Sequence, residues 1–153
     1  MTLLTKPVFE KLISHMLYIE ESADILADFY FPGSSESRED LIQFFRYYIK
    51  KIEDEIEQIK TVGISEKAAD PKQLNKFPFV IIGSEVALES PSGNNSFVYK
   101  VIEPDSKGLV KNGISYLSDF GRELLLKEEG SIISHKEENG QECLTITGIR
   151  LLA

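Results

Sequence analysis

The sequence predicts an α+β fold in which an antiparallel helical hairpin precedes a small antiparallel sheet with one helix. Near residue 70 the spacing of apolar residues changes from three and four to two, which marks the change from helices to strands. At that point residues 63–76 form a polar stretch with Gly63 and Pro71, as in a linker. The predicted division is therefore a hairpin at 1–62, a linker at 63–76 and a second domain at 77–153.

The first helix is predicted to begin near Pro7, which suits a helical first turn, with Thr5 as its cap. Apolar residues then recur at helical spacing; they are Val8, Leu12, Ile13, Met16, Leu17, Ile19, Ala23, Leu26 and Phe29. Pro32 and Gly33 end this pattern, so the helix is expected to stop just before them.

The second helix is predicted to begin within residues 34–37, where serines offer caps, and acidic residues follow at Glu36, Glu39 and Asp40. Its apolar positions repeat at spacings of three and four, the pattern of a coiled-coil seam; they are Leu41, Phe45, Tyr48, Ile52, Ile56 and Ile59. A short loop between two such helices makes them antiparallel. Helices of about 24 residues at about 1.5 Å per residue predict a hairpin roughly 35 Å long.

Aromatic side chains surround the second helix on more than one side, at Phe44, Phe45, Tyr47 and Tyr48. A hairpin of two helices has a single seam, which cannot bury all four. The surplus rings are expected either to pack on the second domain or a second copy, or to form a surface for a partner.

The second domain is predicted as short strands around one helix. Residues 96–102 are apolar on both faces and predict a central strand, and Gly130 is expected to stop a helix at 119–128. Asn139 and Gly140 form a pair typical of a β-hairpin turn. The remaining strands are predicted at 77–82, 84–89, 114–117, 132–135 and 143–152.

The chain carries no motif of a self-contained enzyme: it has neither a phosphate-binding glycine loop nor a nucleophile elbow. Cys143 is expected to be a buried structural thiol inside a strand, and His15 and His135 are expected to be structural or solvated. One cysteine and two histidines also exclude a metal site built from these residue types, so no metal is expected in the free protein.

The 153 residues carry a net charge of −8, which disfavours direct binding of nucleic acid. Any role on nucleic acid is therefore expected to run through a protein partner. No signal peptide and no apolar run long enough to span a membrane are visible, so the sequence predicts a cytoplasmic protein without a membrane partner.

Several spaced motifs of the second domain resemble the C-terminal domain of the bacterial Gre transcript-cleavage factors. In the family pattern I-S-x-x-S-P-x-G-x-A-L-L-G-x-x-x-G-D, this chain matches at Ser118, Gly121, Leu124, Leu125 and Gly130. Asp119 stands where the family has proline, and Ser131 where it has the closing aspartate. The other matching segments, in family order, are 82–86 (IGSEV), 99–105 (YKVIEPD) and 146–150 (ITGIR).

The resemblance implies an FKBP-like second domain that docks on the rim of the RNA polymerase secondary channel, while the hairpin enters the channel. The docking residues it implies are Ser118, Asp119, Phe120, Gly121, Leu124 and Leu125. In cleaving members, carboxylates at the hairpin tip help to hold a Mg²⁺ ion at the polymerase active centre.

The corresponding acids at the tip of this chain are Asp28, Glu36, Glu39 and Asp40, the first just before the turn and the others just after it. Glu36 and Glu39 copy the three-residue spacing of the family acids, but the family motif D-L-x-E-N is absent. The acids also suit a helix N-terminus. It therefore stays open whether the chain stimulates cleavage or only occupies the channel.

A second hypothesis from another functional class is an FKBP-like peptide-binding or prolyl-isomerase module whose helices form a dimerisation arm. Such a pocket needs aromatic walls, and the second domain offers Phe77, Phe79, Phe97, Tyr99, Tyr116 and Phe120, with no tryptophan in the chain. Prolyl-peptide turnover would distinguish this module from a polymerase-binding regulator.

Overall fold

The protein is described from a computed structural model, which covers residues 2–33, 35–62, 73–106, 110–137 and 140–152. The chain divides into two compact units, residues 3–69 and residues 70–152. Most of the predicted linker, residues 63–72, lies outside the described residues.

The first unit is the predicted antiparallel helical hairpin. Helix α1 spans Lys6–Tyr30 and helix α2 spans Glu36–Ile56. Two three-residue strands flank the pair, β1 at Leu3–Thr5 and β2 at Lys60–Val62, and they run parallel to each other. The sequence did not predict this strand pair, which ties together the chain segments before α1 and after α2.

The helix ends follow from local chemistry. Thr5 precedes α1 as predicted, although its side chain makes no capping hydrogen bond. After α1 the chain turns through Gly33, whose φ of +86° is a left-handed conformation that glycine adopts without a steric penalty. At the start of α2 the backbone N–H of Arg38 donates to the Ser35 hydroxyl at 3.2 Å, which caps the helix.

The hairpin core is a single seam between the two helices, as the apolar spacing predicts. Its buried side chains are Val8, Leu12, Ile19 and Ala27 of α1 and Leu41, Ile42, Phe45, Tyr48 and Ile52 of α2. Of the four aromatic residues on α2, the seam buries Phe45 and Tyr48. Phe44 is half-buried against both of these rings, whereas Tyr47 is 60% exposed.

The second unit is a five-stranded sheet with one short helix, α3 at Asp119–Leu124, which confirms the α+β class. The strands are β3 (Glu85–Glu89), β4 (Ser96–Ile102), β5 (Gly113–Ser115), β6 (Ile132–Glu137) and β7 (Gly140–Arg150). Their order in the sheet is β5-β4-β3-β7-β6. The sheet is mixed and not purely antiparallel as predicted, because β5 runs parallel to β4 while the other neighbours are antiparallel.

One strand prediction was wrong. Residues 77–82 are buried, apart from an exposed Pro78, but they do not form a strand. The backbone of Val80 instead pairs with the chain that follows α3. Its N–H donates to the Lys127 carbonyl at 3.0 Å, and its carbonyl accepts from the Leu126 N–H at 2.8 Å. Strand β4 lies inside the sheet as predicted, between β5 and β3, while β3 is the middle strand of the five. A continuous apolar run reports burial, and burial does not require a place in a sheet.

Helix α3 is shorter than the predicted range 119–128. Leu125 leaves the helical region with ψ of 133°, and Leu126 has φ of +66°, so the chain turns four residues before Gly130. The turn at 138–139 lies outside the described residues, but β6 and β7 do pair as an antiparallel hairpin around it. Cys143 is exposed rather than buried, because its neighbour Leu144 takes the inward face of β7.

The described helices include none that is long and apolar enough to cross a membrane.

Candidate functional site

The tip of the hairpin is organised around Arg38. Its Nε lies 2.5 Å from Oδ1 of Asp28, near the end of α1, and its Nη1 lies 2.8 Å from Oε1 of Glu39 in α2. The Arg38 side chain is 23% exposed, against 62% for Asp28 and 61% for Glu39. The hydrogen bond that Arg38 donates to Asp28 raises the pKa of the guanidinium, which stays charged throughout the physiological range. One cation therefore joins carboxylates from both helices.

The other two predicted tip acids, Glu36 and Asp40, are exposed. Glu36 lies in the first turn of α2, where a negative charge stabilises the helix. Among the residues that the structure describes, no three His, Cys, Asp or Glu side chains come close enough to hold a metal ion. Asp28 and Glu39 thus do not fit the Mg²⁺ ion that the family resemblance implies, because these two acids share an arginine.

Arg38 is the tip residue that the sequence reasoning missed. It stands ten positions after Asp28, beyond helical reach, and only the turn through Gly33 brings the two together. A basic residue inside an acidic tip was the available signal, because a cation among carboxylates usually pairs with them.

The candidate docking region is the turn that leads from β5 into α3, and Ser118 organises it. The Ser118 hydroxyl donates to the Ser115 carbonyl at 2.7 Å and accepts from the Gly121 N–H at 3.0 Å. Ser118 is thereby the N-cap of α3. A second serine hydroxyl, that of Ser115, accepts from the Leu117 N–H at 3.1 Å. These bonds fix the turn and the start of the helix.

The six predicted docking residues differ in what they can contact. Gly121, Leu124 and Leu125 are buried, so they support the turn from inside. Asp119 is exposed, and Phe120 is half-buried with its ring against Tyr99, centroids 5.4 Å apart. In the folded chain the surface open to a partner is therefore narrower than the predicted set and centres on Asp119 and Phe120.

The aromatic residues proposed as pocket walls do not act as one set. Phe77, Phe79 and Tyr116 lie in the core of the second unit. The other three, Phe97, Tyr99 and Phe120, are half-buried and form a row: Phe97 stacks on Tyr99 at 6.1 Å, and Phe120 meets Tyr99 edge-on. Their faces are used in packing on one another.

His15 lies in the seam of the hairpin, as a structural residue. Its Nε2 is 2.6 Å from the hydroxyl oxygen of the fully buried Tyr48, and the two rings meet edge to face at 5.8 Å. Burial lowers the pKa of His15 to about 4, so the imidazole is neutral at physiological pH. The pair places a polar contact between α1 and α2 in an otherwise apolar seam.

Helix α1 also presents apolar side chains to solvent. Tyr18, Ile25 and Phe29 are 42%, 69% and 66% exposed, and their spacing of seven and four places them on one side of the helix. Leu17 of α1 at 45% and Tyr47 of α2 at 60% are the other large apolar side chains exposed on the described part of the hairpin. From the sequence we expected exposed aromatic side chains on α2. The structure shows that α1 also exposes large apolar side chains.

The chain matches a known family over its second unit. The model of the C-terminal domain of the transcription elongation factors GreA and GreB matches residues 75–151. This range contains the whole docking turn and all five strands of the sheet.

Two bacterial proteins that are similar to this chain in sequence are elongation factors named GreA. The elongation factor GreA of Halorhodospira halophila is 26% identical over 99 residues, 65% of this chain and 63% of that protein. GreA of Desulfovibrio desulfuricans is 34% identical over 70 residues, 46% of this chain and 43% of its own length. The chain thus spans less than two thirds of either relative.

Two solved structures resemble the whole chain at low TM-score. Gfh1 of Thermus aquaticus is 19% identical, with 97% of each chain covered and a TM-score of 0.44. GreA/GreB of Nitrosomonas europaea is 20% identical, with 98% and 99% covered and a TM-score of 0.46. TM-scores this low do not by themselves support a conclusion about function. Because the family model covers half of the sequence, the chain belongs to the GreA/GreB family of transcription elongation factors.

Proposed function

We propose that the chain is a transcription elongation regulator of the Gre type that binds RNA polymerase at its secondary channel. The observation that carries the proposal is the family match over residues 75–151, which includes the turn at Ser118 and the exposed Asp119. In this proposal the second unit docks on the channel rim and the hairpin enters the channel. The protein works in the cytoplasm, by binding polymerase rather than by catalysis of its own.

The charge of the chain supports an indirect route to nucleic acid. The net charge of −8 opposes the binding of phosphate groups. Polymerase holds the RNA and this chain holds polymerase, so RNA or DNA alone should not compete for the chain.

Binding to polymerase can be measured with a single fluorophore. Cys143 is the sole cysteine of the sequence, is exposed and lies on β7, which two strands separate from β5 and the turn that follows it. A dye on this thiol should report saturable binding to the host's core RNA polymerase by fluorescence anisotropy. Unlabelled GreA should displace the labelled chain, since both are proposed to use the same rim.

Asp119→Asn tests the docking surface. The substitution removes an exposed charge while keeping its size, so we expect polymerase affinity to fall about fivefold or more without loss of folding. The matched control is Glu123→Gln, an exposed charge on the same short helix, which should bind as the unmodified chain does. Equal losses of polymerase affinity in the two variants would contradict a docking role for Asp119. In the displacement experiment, saturable binding that GreA does not displace would contradict the proposal that both proteins use the same rim.

A further inference from the structure

The hairpin tip already contains a cation. The Arg38 guanidinium contacts Asp28 at 2.5 Å and Glu39 at 2.8 Å, and these are the two predicted tip acids that the turn brings together. Arg38 is also the least exposed of the three side chains. The tip of this chain is a paired charge cluster rather than an open set of carboxylates.

This arrangement opposes the binding of a divalent cation. A metal ion on the same carboxylate oxygens would stand within a few ångströms of the guanidinium and would be repelled by it. To bind the metal, the acids would have to release an arginine whose five N–H donors suit carboxylates. Glu36 and Asp40 do not complete a site, since no group of three ligand side chains forms among the described residues.

We infer that Arg38 is a specificity-determining residue, which keeps the tip carboxylates of this chain from binding a divalent cation. The chain then occupies the polymerase channel without bringing a metal ligand. The first statement concerns the free protein, whereas the second rests on the proposed function. The two are therefore tested by separate experiments.

Mn²⁺ is a suitable probe for the free protein, because it broadens the NMR signals of nearby backbone amides. In the unmodified chain the amides of Asp28 and Glu39 should broaden no more than that of Asp54, an exposed acid paired with Lys50 at 2.8 Å. In Arg38→Gln, broadening at Asp28 and Glu39 should increase about threefold or more, since the carboxylates lose their cation. Adding Asp28→Asn to Arg38→Gln should return the signals to the level of the unmodified chain.

Lys50→Gln is the matched control. It removes the cation of another exposed pair on the same helix, with the same 2.8 Å contact, and should leave the tip signals unchanged. The inference is wrong if Mn²⁺ broadens the tip of the unmodified chain as strongly as that of Arg38→Gln. It is equally wrong if Arg38→Gln produces no increase.

The consequence for polymerase is tested with backtracked elongation complexes. The unmodified chain should bind them, displace GreA and release RNA no faster than complexes without a factor. RNA release that is several-fold faster with the chain, and lost in Asp28→Asn, would overturn the inference. A chain that does not bind polymerase at all would refute the proposed function, while the Mn²⁺ result alone would still decide the role of Arg38.

Discussion

Gly121→Ala should unfold the second unit or come close to doing so. A Cβ atom at position 121 would collide with the carbonyl oxygen of Ser115 and lie 2.9 Å from its carbonyl carbon. Both atoms belong to backbone, and Ser115 is held there by its bonds to Ser118, so neither side can move aside. We expect the free energy of unfolding to fall by more than about 3 kcal/mol, measured by urea denaturation.

Gly148→Ala is the control for this prediction. Gly148 lies in β7 of the same sheet, and a Cβ there would meet only the Ala87 side chain, at an ordinary 3.9 Å. Its stability should stay within about 0.5 kcal/mol of the unmodified chain. A Gly121→Ala protein as stable as Gly148→Ala would show that the turn can shift, contrary to the packing seen. A loss of polymerase binding in Gly121→Ala would therefore follow from lost folding, so this substitution cannot report on a direct contact.

The hairpin should lose stability as the pH falls from about 6.5 to about 4. The pKa of His15 is lowered to about 4 in the folded hairpin, because its place in the seam disfavours the imidazolium, whereas the unfolded chain has the ordinary 6.5. Between these values the unfolded chain binds a proton that the folded hairpin does not. The free energy of unfolding should therefore fall by up to roughly 3 kcal/mol, while above pH 6.5 this term is fully present and constant.

His15→Leu isolates the contribution of His15, because the variant and the unmodified chain contain the same carboxylates. The two proteins should be compared by urea unfolding of the helices at several pH values. On acidification, the free energy of unfolding should fall less in the variant than in the unmodified chain, by about 2–3 kcal/mol. Identical pH profiles would mean that His15 titrates alike in the folded and unfolded states.

The hairpin could be predicted from sequence because its determinants are local. Leu41, Phe45, Tyr48 and Ile52 repeat at helical spacing, and Pro32 and Gly33 mark the turn. The pair β1–β2 could not be predicted, since three residues give no readable period and their partners lie 57 positions further along the chain. The order of the sheet was likewise beyond reach, because alternation identifies a strand but not its neighbours.

The candidate site was predictable in its residue types and not in their roles. Ser118 and Gly121 stood out by resemblance, but only the structure shows that one caps α3 and the other allows a close backbone approach. The four acids of the tip were predicted as one group. The structure shows that Arg38 pairs with Asp28, on the other side of the turn, and with Glu39. Pairing of this kind depends on three-dimensional proximity, which charge patterns along a helix do not encode.

The exposed ion pairs of the tip also make it sensitive to ionic strength. Asp28 and Glu39 face solvent, so salt weakens their attraction to Arg38; the screening length shrinks from about 10 Å at 0.1 M to about 3 Å at 1 M. The apolar seam below the tip is not weakened by this screening of charges, so it continues to hold α1 to α2 as salt is added. A cell that accumulates salt would thus loosen the end of the hairpin while leaving its shaft intact, and the tip would respond to osmotic conditions.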